Sequence, residues 1–103
     1  MYKGLSNDIS RHHYRIILEE TIAILQNEIN KNPLPIYQNI YSQLLDIKEM
    51  VVEKNILTDP EEIDERYSLG GIATKNFKEG DELRERLFDI FSGACDYFLL
   101  DEC

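Results

Sequence analysis

The sequence predicts an all-α protein, a compact antiparallel bundle of three long helices plus one short helix, in a single domain over residues 1–103. Apolar residues recur at helical spacing in three long stretches, and proline, glycine or aspartate stands at the ends of the elements. The one segment that could be extended, residues 72–77, has no second strand to pair with. A chain of 103 residues is one domain's worth, and at that size one core buries roughly two-thirds of the surface of the unfolded chain. Helix is expected over roughly two-thirds of the residues.

The first helix is expected from about Asp8 to Asn30. Tyr14, Leu18, Ile22, Leu25 and Ile29 fall within an arc of about 80°, which Ile17 and Ile24 widen. Asn32-Pro33-Leu34-Pro35 ends it, because proline lacks a donor and keeps its predecessor out of helical geometry. The second helix begins at Pro35 or Ile36 and runs to about Asn55. Tyr37, Ile40, Leu44, Ile47 and Val51 form its stripe, with Tyr41, Leu45 and Val52 as a second flank. Thr58-Asp59-Pro60-Glu61-Glu62 is the sharpest start signal: Asp59 caps, Pro60 fits the first turn, and the two glutamates complement the positive end of the helix dipole. That short third helix should reach Ser68, offer Ile63 and Tyr67 inward, and end at Gly70-Gly71. Residues 72–77 are expected to be a loop that docks Ile72 and Phe77 on the core. The fourth helix should span about Asp81 to Leu99, with Leu83, Leu87, Ile90, Phe91, Ala94 and Phe98 inward.

The net charge of −9 is unevenly placed. Residues 1–58 hold seven acids against six bases, whereas residues 59–103 hold thirteen against five. Such a field repels phosphate backbones and anionic membranes and attracts a basic protein partner. The longest uninterrupted apolar run, around Ile22–Leu25, is far short of the roughly 18 residues of a membrane span. The first residues lack a secretory apolar segment, and the expected location is the cytoplasm. Cys95 and Cys103 would stand about 12 Å apart on a continuous helix, outside disulfide reach; unwinding near Leu99 would permit a bridge, but two cysteines near one end make no disulfide framework. Cys95 is therefore expected to be a reduced core or boundary residue.

Catalytic constellations are scarce. Gly70-Gly71 has neither GxGxxG spacing nor a Gly-Lys-Ser/Thr continuation, and CxxC, HExxH, EF-hand and Glu-x-x-His patterns are missing. Asp8, His12 and Glu19 share an arc of about 40° on the first helix and could form a small metal site or proton-transfer pair. They sit on its polar side with Arg15, where a solvated face is the simpler reading. The sequence thus predicts neither an enzyme nor a cofactor-bearing protein.

The acidic second half is the candidate working part. Glu82, Glu85, Asp89 and Asp96 fall within about 60° on the fourth helix, opposite its core stripe. A like-charged pair such as Glu85 and Asp89 costs a helix about 0.2–0.5 kcal/mol. Arg86 can reach back to Glu82, but Asp89 and Asp96 have no obvious basic neighbour in the sequence. Glu61, Glu62, Asp64 and Glu65 add to the surface from the third helix, and Asp101 and Glu102 from the C-terminus. Phe88, Cys95 and Leu99 flank the acidic arc, and Phe88, Leu99, Tyr67 and Tyr97 are candidate anchors beside the charges.

In size, charge, helical character and the texture of Arg66-Tyr67-Ser68-Leu69-Gly70-Gly71-Ile72-Ala73 and Phe88-Asp89-Ile90-Phe91-Ser92-Gly93-Ala94, the chain resembles the small acidic immunity proteins of bacterial polymorphic toxins. Contact-dependent growth inhibition systems and nuclease colicins supply the examples. The resemblance implies a cytoplasmic inhibitor that binds a cognate toxin, here expected to be a nuclease, and covers its basic active-site cleft with carboxylates. A regulatory adaptor or anti-activator on a basic host protein is the alternative from the same surface. A small metal-dependent enzyme using Asp8, His12 and Glu19 is the third.

Overall fold

In the computed structural model, which describes Gly4, residues 10–57 and residues 59–100, Ser10 rather than Asp8 opens the first helix. Its hydroxyl accepts from the His13 amide at 3.1 Å, so α1 spans Arg11–Lys31 and ends at Asn32, one residue before Pro33. Asp8, Thr58, Asp101, Glu102, Cys103 and the side chain of Phe98 lie outside the described residues. Pro35 starts α2 (Pro35–Ile47) at its first position. The short link between α1 and α2 turns the second helix back along the first, and the two pack as an antiparallel hairpin.

Beyond Ile47 the helix continues as a wide π turn, Lys48–Glu53, whose end is marked by Lys54 donating to the Glu49 carbonyl at 2.8 Å. Asn55, at φ 55°, then turns the chain out. The stop expected near Asn55 is therefore present, and asparagine tolerates that left-handed geometry better than most residues. Asp59 caps α3 (Pro60–Arg66) by accepting from the Glu61 amide at 3.0 Å. Asp81 caps α5 (Glu82–Cys95) in the same way through Leu83, at 2.9 Å.

The largest departure from expectation lies between them. Gly70 and Gly71 do not terminate a helix; they sit in the first turn of α4 (Leu69–Asn76), which occupies the segment expected as a loop. The break comes earlier, at Tyr67, which is extended at φ −116° and ψ 143°. Gly70 faces the rings of Phe88 and Phe91 on α5, and a β-carbon there would meet them at 3.7–3.9 Å. Packing against α5 thus holds a glycine-rich segment in a helix that its propensity alone disfavours. Gly80, at φ 87°, is the glycine that makes the left-handed turn, immediately before α5. All-α architecture holds: 79% of the described residues are helical and they contain five α-helices and no strand.

Gly71 is exposed, and a β-carbon there would meet nothing within 4 Å. Gly71→Ala is accordingly expected to stabilise α4, by about 0.5–1 kcal/mol. A urea midpoint that moved down instead of up would show that residue 71 is not helical.

The core forms where α1 meets α2 and α5. Tyr14, Leu18, Leu25, Ile40, Leu44, Ile47, Val51, Ile63, Leu87 and Ile90 are buried there, as their spacing predicts. Leu69 and Ala73 join them from α4, and Ile72 and Phe77 pack partly buried against the cluster. Tyr14 is the hub: its hydroxyl donates to the Ile90 carbonyl at 2.8 Å and its ring lies 5.5 Å from that of Tyr97. Complete burial holds its phenol well above the usual range. Arg86 is a buried clamp between α5 and α1. It donates to Glu82 at 2.9 Å and to Thr21 at 3.1 Å, and pairs with Glu20 at 3.5 Å.

Candidate partner-binding surface

The structure divides the acidic arc of α5 into exposed carboxylates and carboxylates engaged within the fold. Glu82 is held by Arg86. Asp89 is half-buried and has an interaction within the fold. Glu85, Phe88, Ser92 and Asp96, spaced three or four residues apart, remain as an exposed row along the helix. Leu99 continues this row in a short 3₁₀ turn (Tyr97–Leu99) and is 84% exposed, the most exposed large apolar side chain among the described residues.

Helix α3 packs beside the end of that row. The Cys95 thiol reaches the Pro60 carbonyl at 3.9 Å. Partial burial raises the thiol's pKa, and the charges of Asp96 and Asp64 push it further up, so carboxylates from the two helices share one neighbourhood. Cys95 is a free, half-buried thiol, the boundary position expected. Glu61, Glu62, Asp64 and Glu65 are all exposed. Among the described residues no ion pair reaches these four, Glu85 or Asp96.

Helix dipoles separate the ordinary carboxylates from the unusual ones. Glu61, Glu62, Glu82 and Glu85 lie in first turns, where negative charge stabilises a helix. Asp64 and Glu65 stand in the last turn of α3, and Asp96 is the C-cap of α5. There a negative charge costs about 0.3–1 kcal/mol each. The dipoles of α3 and α5 thus gain nothing from these three acids.

Two expected anchors are not on this surface. Tyr67 and Tyr97 are only 4% and 3% exposed. Tyr97 packs at a tilt of 59° against Tyr14, accepts at its hydroxyl from Arg15 at 2.9 Å, and has the Arg11 guanidinium 5.3 Å from its ring centroid. Tyr67 donates to Asp46 at 2.5 Å. The inward position of Tyr67 is the one its spacing predicts, whereas Tyr97 is turned inward by partners on α1 that spacing along one helix cannot reveal.

Tyr67 belongs to a polar lock that the sequence did not signal. Arg66 donates to both Asp46 oxygens, at 2.6 and 3.1 Å. One turn away, Gln43 accepts from the Ser68 amide at 2.8 Å and donates to its hydroxyl at 3.0 Å. These contacts tie α2 to the α3–α4 junction across a groove of about 460 Å³. Nothing in the sequence pairs residues 46 and 66, since only the chain path brings them together. Arg66 and Tyr67 hold the Asp46 carboxyl below the usual range, although partial burial opposes them. A lowered folded-state value means that this stabilisation is present above about pH 4 and is lost as pH falls through the lower folded-state value. Asp46→Asn is expected to lower the melting temperature by a few degrees at pH 7 and to flatten its acid dependence. An unchanged acid profile would show that the lock contributes nothing.

Of the residues weighed as a metal site, only His12 and Glu19 are among those described. Asp8 is outside the described residues, His12 is exposed, and Glu19 pairs with Lys48 at 2.8 Å. Among the described residues no three His, Cys, Asp or Glu side chains are grouped to hold a metal ion.

The Tsi6 family profile matches residues 13–95, from α1 to the last residue of α5. The chain belongs to the Tsi6 family. No curated protein and no solved structure matches it. Tsi6 is an immunity-protein family of the type VI secretion kind, and its members are not enzymes. Membership implies a cognate toxin as partner. The matched span includes α3, the Gly70–Gly71 segment and the α5 row as far as Ser92, but neither Asp96 nor Leu99. No helix among the described residues of this Tsi6-family chain is long and apolar enough to cross a membrane.

Proposed function

We propose that this Tsi6-family protein neutralises its cognate toxin in the cytoplasm by stoichiometric blockade, laying the α5 row and the α3 carboxylates over a basic cleft of the toxin domain. The supporting observation is the placement of Asp64, Glu65 and Asp96 at helix C-termini, outside any ion pair of the described residues and beside the exposed Leu99. Carboxylates in that position hold their charge for a partner, and an apolar anchor alongside supplies the buried contact that makes a complex last. A basic cleft is what an enzyme acting on phosphate-bearing substrates presents, and a nuclease is the case favoured here. The delivery route of the toxin, contact-dependent growth inhibition included, does not alter this binding chemistry.

The direct test is co-expression with the toxin domain encoded beside this gene. A one-to-one complex, restored growth and loss of the toxin's nucleic-acid cleavage are the expected results. Growth rescue without complex formation would overturn the blockade. An intact complex whose toxin spares nucleic acid in its free form would overturn the nuclease assignment alone.

A further inference from the structure

A different feature stands at the start of α5. Arg84 lies over the ring of Phe88, its guanidinium carbon 5.4 Å from the ring centroid. Phe88 is fixed from below by α4, where the Gly70 position leaves room for the ring, yet 37% of it stays exposed. The Nε of Arg84 is shielded from solvent and has no hydrogen-bond acceptor. Arg84 forms no other hydrogen bond or ion pair with the described residues. Glu79 and Glu85 line the same shallow depression, of about 440 Å³, without pairing with it.

An arginine stacked on an aromatic ring is a common centre of binding energy, because its planar donor fork is already oriented. Here the fork has no acceptor among the described residues. A third carboxylate entering this depression would face Glu79 and Glu85, so the acceptor that fits is uncharged. We propose that Arg84 and Phe88 form a second contact point for the toxin, at which Phe88 packs against an apolar side chain and Arg84 donates to a main-chain carbonyl of the same toxin loop. The inference rests on the blockade proposed above and adds a contact that is not carried by charge pairing. Helix α5 has 14 residues. Its length of about 21 Å lets one standard-sized interface cover both this point and the Asp96–Leu99 end.

The experiment measures toxin affinity as a function of salt for wild type, Arg84→Met, Arg84→Lys, Phe88→Ala and Asp96→Lys. Arg84→Met is expected to weaken binding about ten- to a hundredfold with a melting temperature near wild type, and Phe88→Ala to weaken it as much with a lowered melting temperature, since its ring also packs on α4. Arg84→Lys should remain weak, because an ammonium keeps the charge but loses the planar fork. The salt dependence should stay at the wild-type slope in both Arg84 variants, whereas Asp96→Lys should change it. Wild-type affinity in Arg84→Met, or full recovery in Arg84→Lys, overturns the contact. A salt slope altered by Arg84→Met overturns the uncharged acceptor. If Asp96→Lys weakens binding while the Arg84 and Phe88 variants do not, the blockade stands and this inference falls. If wild type does not bind the toxin, both fall.

Discussion

Replacing Glu85 and Asp96 together with lysine is expected to reduce affinity for the cognate toxin at least a hundredfold and to abolish protection, at unchanged protein level. Each substitution turns an attraction into a repulsion, and like charges set against each other cost several kcal/mol across an interface. A hundredfold loss corresponds to about 2.7 kcal/mol, within reach of two reversals. The choice of positions is structural. Glu85 and Asp96 are exposed, whereas Asp89 is half-buried and engaged, so its reversal would disturb the helix itself. Dipole effects of opposite sign should keep the fold intact. Glu85 is in the first turn, where lysine costs about 0.3–1 kcal/mol, and Asp96 is the C-cap, where lysine regains a similar amount. Melting temperature and far-UV circular dichroism should therefore match wild type. Affinity of the wild-type complex should fall with salt, since the Debye length is only about 8 Å at physiological ionic strength. Full protection by the double variant would remove the α5 row from the interface and leave the α3 carboxylates Glu61, Glu62, Asp64 and Glu65 as the place to look.

Tyr14→Ala is expected to have the largest effect on the fold, about 3–5 kcal/mol, enough to unfold much of a domain of ordinary stability. The ring is completely buried between α1 and α5, and its loss leaves a cavity beside Tyr97. Tyr14→Phe keeps the ring and removes only the hydrogen bond to the Ile90 carbonyl, for about 1 kcal/mol. Urea titration of the two variants separates packing from hydrogen bonding. A Tyr14→Ala protein within 1 kcal/mol of wild type would mean that the α1–α5 seam does not hold the core.

Helix identity was legible from local chemistry. Proline at position 35, aspartate at 59 and 81, and apolar spacing along residues 14–25, 40–51 and 87–94 act within a turn or two of the chain, and each acts in the fold as its chemistry dictates. The uneven charge was legible for the same reason, since it depends only on which residues are present. What the spacing could not give was the fate of a residue whose partner is distant in sequence. Gly70 and Gly71 look like a stop until the rings of Phe88 and Phe91 arrive to pack on the first of them. Tyr97 reads as an anchor for a partner until Tyr14 and two arginines enclose it, and Tyr67, inward as its spacing predicts, is taken up by Asp46 rather than left for a partner. Asp89 and Asp96 occupy equivalent places on the helical wheel, yet the neighbouring packing half-buries one and leaves the other free at the helix end, outside any ion pair of the described residues. The sequence by itself therefore determined an acidic, all-helical domain. Tertiary structure decided which of its carboxylates are spent holding the fold and which face outward, because that division depends on distances between helices that no period along one helix records.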